Sequence, residues 1–93
     1  MKIIRSAKYT KALKEQMKFI SIDNKNRALA FKSEIDKHVN DLPHMPYKCR
    51  KSIYFQDETI RDLIYKGYTI VYKIDETKEI ITIIGMKKYQ SEL

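Results

Sequence analysis

The densest concentration of chemistry-bearing side chains is Tyr47-Lys48-Cys49-Arg50-Lys51, three cations in five residues beginning with an aromatic ring. Cations so placed can hold a phosphate backbone while the ring stacks on a base. The same set can grip an acidic peptide. A second cluster, Lys87-Lys88-Tyr89, directly follows an apolar run, where a strand end would fix the side chains yet leave them open to solvent. Both clusters agree with the overall charge: nineteen Lys and Arg against twelve Asp and Glu give +7. Such a balance attracts polyanions, either nucleic acid or an acidic protein partner, although excess lysine also serves solubility. Cys49 is the sole cysteine, so no internal disulfide forms and a reducing cytoplasm is the expected compartment. Nothing at metal-ligand spacing surrounds Cys49 or His38, and the residues call for no metal or cofactor. No apolar run nears the length of a membrane span, and no signal-peptide core follows Met1.

These groups must be positioned by the stretch from Ile60 to Met86. It contains three runs rich in Ile, Val, Thr and Tyr, broken by Lys66-Gly67 and by Asp75-Glu76-Thr77-Lys78. That pattern predicts an antiparallel meander. Gly67 supplies the positive φ of a two-residue hairpin turn. By alternation, Tyr68, Ile70, Tyr72 and Ile74 share one face of the middle strand, and Thr69, Val71 and Lys73 the other. In the last strand Ile80, Thr82, Ile84 and Met86 share a face opposite Ile81 and Ile83. Neither face is purely polar. One is expected to be covered by helices and the other to form an aromatic docking surface flanked by cations. Any single tyrosine can instead fill the core with its hydroxyl at the edge.

Upstream, Lys2-Ile3-Ile4-Arg5 reads as an edge strand and Ser6 as a helix cap. From Ala7 to about Ile20, Tyr9, Leu13, Met17 and Ile20 recur at steps of three and four, the buried stripe of a helix. Lys11, Lys14 and Lys18 fall opposite, with Lys8 at the margin, and read as a solvated face. Ser21 to Asn24 breaks the pattern, and Asp23 or Asn24 can cap a second helix carrying Ala28, Phe31, Ile35, Val39 and Leu42 on its inner face. His38 lies beside that stripe as a surface or partly packed side chain. Pro43 ends this helix, and Leu42 to Tyr47 is a stiff loop. Ser52-Ile53-Tyr54-Phe55 reads as a short strand or an extended lead-in, and Gln56 to Thr59 as a polar turn. The expected class is α+β in one domain over 1–93: an N-terminal strand and a helical hairpin packed on an antiparallel sheet, in the order β-α-α-β-β-β.

This order, with Ile60-Arg61-Asp62-Leu63-Ile64-Tyr65-Lys66-Gly67-Tyr68-Thr69-Ile70-Val71-Tyr72, resembles the RelE/ParE superfamily of type II toxin–antitoxin toxins. The carrying pattern is an Arg-Asp-Leu strand, a glycine turn and a Tyr-x-Ile/Val-x-Tyr strand, with Leu42 to Lys51 similar to the family's loop and basic segment. The resemblance implies a cytoplasmic growth inhibitor of a plasmid stabilisation or addiction module, neutralised by a cognate antitoxin. RelE-like members cut mRNA in the ribosomal A site with a cluster of Lys and Arg and, in several, a C-terminal tyrosine. ParE-like members inhibit DNA gyrase and lack that cluster. Here Thr69 stands where the RelE branch has arginine, and Arg61-Asp62 where it has lysines. Lys87 lies near the position of that branch's C-terminal arginine.

Cutting RNA at a 2′-hydroxyl needs a proton acceptor, cations for the pentavalent phosphate and an acid for the leaving oxygen. The nuclease candidates are His44 or Tyr89 for proton transfer, with Arg61, Lys87 and Lys88 for the phosphate. Removing one such stabilising group costs roughly two to three orders of magnitude in rate, so an incomplete set argues against catalysis. The leading expectation is therefore a ParE-like toxin that binds DNA gyrase, with a ribosome-dependent mRNA endonuclease or a non-toxic basic interaction module as alternatives. Its target- or antitoxin-binding residues are expected to be Tyr47, Lys48, Arg50, Lys51, Arg61, Tyr68, Tyr72, Lys87, Lys88 and Tyr89.

Overall fold

The computed structural model describes residues 1–88. Strand β1 (Lys2–Arg5) runs into helix α1 (Ala7–Asp23), which turns at once into α2 (Lys25–Asp41). A single 3-10 turn (Leu42–His44) leads to β2 (Arg50–Lys51), and β3 (Ile60–Tyr65), β4 (Tyr68–Asp75) and β5 (Ile80–Lys88) complete the chain. Both helix starts are capped as the residue types require: Ser6 Oγ accepts the Tyr9 N–H at 3.1 Å and Asn24 Oδ1 the Arg27 N–H at 3.1 Å. Contrary to the sequence reading, Ser21 to Asp23 stay helical and only Asn24 separates the helices. One residue suffices because Asn24 ends α1, donating its N–H to the Ile20 carbonyl, while capping α2. The helices run antiparallel, since Arg5, just before α1, reaches Asn40 near the end of α2 at 2.9 Å.

The sheet has the order β1-β5-β4-β3-β2. β3 to β5 pair antiparallel as the meander predicts and β2 adds antiparallel to β3, but β1 joins β5 in parallel, so the sheet is mixed. The junction is tied by Ser6, whose N–H donates to the Ile83 carbonyl at 3.1 Å and whose hydroxyl donates to Ile84 at 2.9 Å. The helical hairpin covers one face. Its core joins Tyr9, Leu13, Ile35, Val39 and Leu42 to Leu63, Ile70, Tyr72, Ile74, Ile81 and Ile83.

Two expectations fail in the sheet. A bulge sets Val71 opposite Gly85 but Tyr72 opposite Ile83, leaving Ile84 as the extra residue. Alternation therefore restarts along β5, and Met86 packs with Ile81 and Ile83 against the core. The second pairing strand is also displaced: it is Arg50–Lys51 rather than Ser52–Phe55. Ser52 donates its N–H to the Ile60 carbonyl at 2.9 Å, and the chain then leaves the sheet edge to form an irregular segment up to Thr59.

Candidate functional site

The tyrosines first assigned to an open docking face belong to the helix-covered one. Tyr72 is 0% exposed and its hydroxyl donates to the Pro46 carbonyl at 2.6 Å. Tyr68 is 9% exposed, donates to Gln16 Oε1 at 3.2 Å and packs on Phe31. Burial raises the phenol pKa of both; at Tyr72 the Cys49 thiol beside it pushes in the same direction. Neither ring is available to a partner. They sit where the alternation of β4 puts them, but that face is the one the helices seal.

The opposite face carries Thr69, Val71 and Lys73 and is dressed by the segment after β2. Tyr54 and Phe55 line a cleft of about 240 Å³ with Val71, Ile84 and Lys87. Val71 is thereby buried, whereas Tyr54 and Phe55 each remain 44% exposed, flanked by exposed Ile53 and Ile64. The Lys87 ammonium stands 4.9 Å from the Tyr54 ring centroid, a cation–π contact. This surface carries aromatic rings, but they come from residues read from the sequence as a short strand or an extended lead-in, not from the meander tyrosines. The usable signal was Ile53-Tyr54-Phe55, an apolar run without alternation, followed by four polar residues.

Consecutive residues of β3 fasten that segment from opposite faces of the sheet. Arg61 Nε donates to the Glu58 carbonyl at 2.9 Å and Nη1 to the Cys49 carbonyl at 3.2 Å, while its guanidinium covers the Tyr47 ring at 4.9 Å. Asp62 is buried; its Oδ2 accepts the Ile53 N–H at 3.2 Å and faces Arg50 Nη2 at 3.4 Å. Arg61 is thus an anchor between two backbone carbonyls and a ring. The rest of the basic segment is partly neutralised, with Lys48 3.3 Å from Asp41 and Lys51 3.9 Å from Glu58, all four side chains being exposed.

The nuclease candidates are not gathered. Arg61 stands opposite Tyr72 and Lys87 opposite Thr69, three residues or about 10 Å apart along the strands, with β4 between them. They also point to opposite faces. Lys87 meets Tyr54 on the open side, whereas Lys88 lies 5.3 Å from the ring of Phe19 on α1. His44 is exposed in the 3-10 turn and makes no hydrogen bond or ion pair to these groups among the described residues. Tyr89 lies outside the described residues. No group of three or more His, Cys, Asp or Glu able to hold a metal occurs among the described residues, and no helix there is long and apolar enough to cross a membrane.

Comparison with known proteins agrees with this architecture. No curated protein matches the chain in sequence. Among solved structures, a chain of the chromosomal ParDE TA system from P. aeruginosa superposes with a TM-score of 0.79 at 15% identity, covering 97% of each chain. At that identity the likeness shows a shared fold. The family described as the ParE toxin of the type II toxin–antitoxin system parDE matches residues 3–88, from β1 to the last residue of β5. With the strand, helical hairpin and sheet in that order, the chain belongs to the ParE family of type II toxins.

Proposed function

We propose that this toxin arrests growth by binding DNA gyrase in the cytoplasm, with no bond-breaking chemistry of its own, and that a cognate antitoxin neutralises it. The observation that supports this most is the separation of the groups an RNA-cutting site would use. Arg61 is engaged with the Glu58 and Cys49 carbonyls, and Lys87 and Lys88 meet rings on opposite faces of the sheet. A pentavalent phosphate needs its donors converging within hydrogen-bond reach of one point. A binding toxin needs only a shaped, charged surface.

The exposed Ile53, Tyr54, Phe55 and Ile64, bordered by Lys87, Lys73 and Arg50, are the surface we assign to the antitoxin. An acidic amphipathic segment would order there, burying apolar side chains between the two rings. The test is DNA supercoiling by gyrase with purified toxin, run beside toeprinting on translated mRNA. Free toxin should block supercoiling and leave the mRNA uncut, and antitoxin should restore supercoiling. Tyr54→Ala/Phe55→Ala toxin should need at least about tenfold more antitoxin, as for loss of a hot-spot pair. Normal supercoiling with excess toxin would defeat the gyrase reading. mRNA cuts that vanish in Lys87→Ala/Lys88→Ala would establish the nuclease instead. Expression without antitoxin that leaves growth unchanged would favour the non-toxic module.

A further inference from the structure

The two helices have equal length and treat their cations differently. On α2, Lys25 and Arg27 at its start make no ion pair among the described residues, but Lys32 pairs with Asp36 and Lys37 with Glu34, one turn away. On α1, Lys8, Lys11, Lys14 and Lys18 make no ion pair among the described residues, and the first turn holds no acidic residue. Lys11, Lys14 and Lys18 fall within an arc of about 60° and span about 10 Å along the axis. Together with Arg5 and Thr10 they line a surface depression of about 730 Å³, in which Glu15 is the only acid. Like charges three and four residues apart disfavour the helix, and Lys8, in the first turn of α1, meets a dipole that favours anions. No ion pair among the described residues relieves that repulsion, so an anion from outside the fold would do so.

We propose that this face of α1 binds the sugar–phosphate backbone of duplex DNA. About 10 Å of lysine stripe spans the axial rise of about three phosphates of one strand, whose winding the flexible lysine stems can follow. The depression itself is lined by no large apolar side chain. Met17 and Leu29 line an adjoining groove that meets the stripe only at Lys14 and Lys18, so the stripe offers charge, which suits phosphates, more than an apolar anchor for a peptide. The inference stands apart from the gyrase reading, because its test contains no gyrase.

The test is fluorescence anisotropy of a labelled duplex DNA with the full chain, free of antitoxin, across about 50 to 200 mM salt. Each phosphate contact contributes about 0.9 to the slope of log affinity on log salt. Lys11→Gln/Lys14→Gln/Lys18→Gln should therefore flatten the slope by about 2.7. Lys→Arg replacements at the same three positions should keep it, and Lys32→Gln/Lys37→Gln should leave it nearly unchanged. An unaltered slope in the α1 variant would overturn the proposal, as would no binding at the lowest salt. An equal loss per lysine in the α2 variant would reduce the effect to net charge and also overturn it. Poly-glutamate binding more tightly than DNA, with the same dependence on the three lysines, would reassign the stripe to an acidic protein.

Discussion

Tyr9 shows how one hydroxyl sets a stability term. Its ring is 0% exposed in the core, yet its hydroxyl has no hydrogen-bond partner among the described residues. Leaving a polar group dry costs more than a typical hydrogen bond returns, so Tyr9→Phe should raise stability by about 1 kcal/mol in urea unfolding. Burial pushes the Tyr9 pKa up from 10.0 to about 12, with the Asp36 carboxylate adding and Arg5 subtracting. The folded pKa is the higher one, so the neutral ring contributes its full stability below pH 10 and loses it as pH climbs through about 12. Tyr68 and Tyr72 shift in the same direction, so the protein should lose stability as pH rises above 10. Tyr9→Phe should make the loss shallower; an unchanged profile would mean that Tyr9 titrates alike in the folded and unfolded states.

Among the elements, the β3–β4 hairpin turns on two residues in the left-handed region, Lys66 at φ 42° and Gly67 at φ 82°. Both central positions of a two-residue type I′ turn require positive φ, because only that twist matches the flanking strands. A Cβ added to Gly67 would meet nothing within 4 Å, so Gly67→Ala tests backbone conformation without a clash. It should destabilise the fold by about 1 kcal/mol, and Lys66→Asn, which suits the same turn, should recover part of that. Thermal melts of the two single variants and the pair would show this. Equal melting points for wild type and Gly67→Ala would mean that the turn changes type when the alanine is introduced.

Over the whole molecule, the open side depends on how firmly the segment between β2 and β3 is held. Arg61 binds carbonyls at both of its ends, from Cys49 to Glu58, and Asp62 holds the Ile53 N–H in the middle. Arg61→Ala removes the two-ended anchor while leaving the helix-covered core intact. Losing about 1–2 kcal/mol of local hydrogen bonding corresponds to roughly tenfold faster amide exchange. That acceleration should be confined to residues near 47–58, with the protection of β4 and β5 unchanged. Uniformly faster exchange would show that Arg61 supports the global fold instead. The same anchoring sets a cost on any other use of Arg61: releasing it would loosen Tyr54 and Phe55.

The linear pattern alone determined the element order, the Ser6 cap, the second cap to within Asp23 or Asn24, the glycine turn and the family resemblance, because each rests on neighbours a few residues apart. Ser6 and Asn24 cap through N–H groups three residues on, and the stripes of α1 and α2 repeat every three or four residues. Tertiary structure decided which face of the meander is open, since alternation separates two faces without saying which one the helices take. It also decided the parallel place of β1, the bulge that turns Met86 inward, and the engagement of Arg61 by carbonyls twelve and three residues away. Those outcomes depend on groups meeting across the fold, where spacing along the chain carries no information about distance or direction.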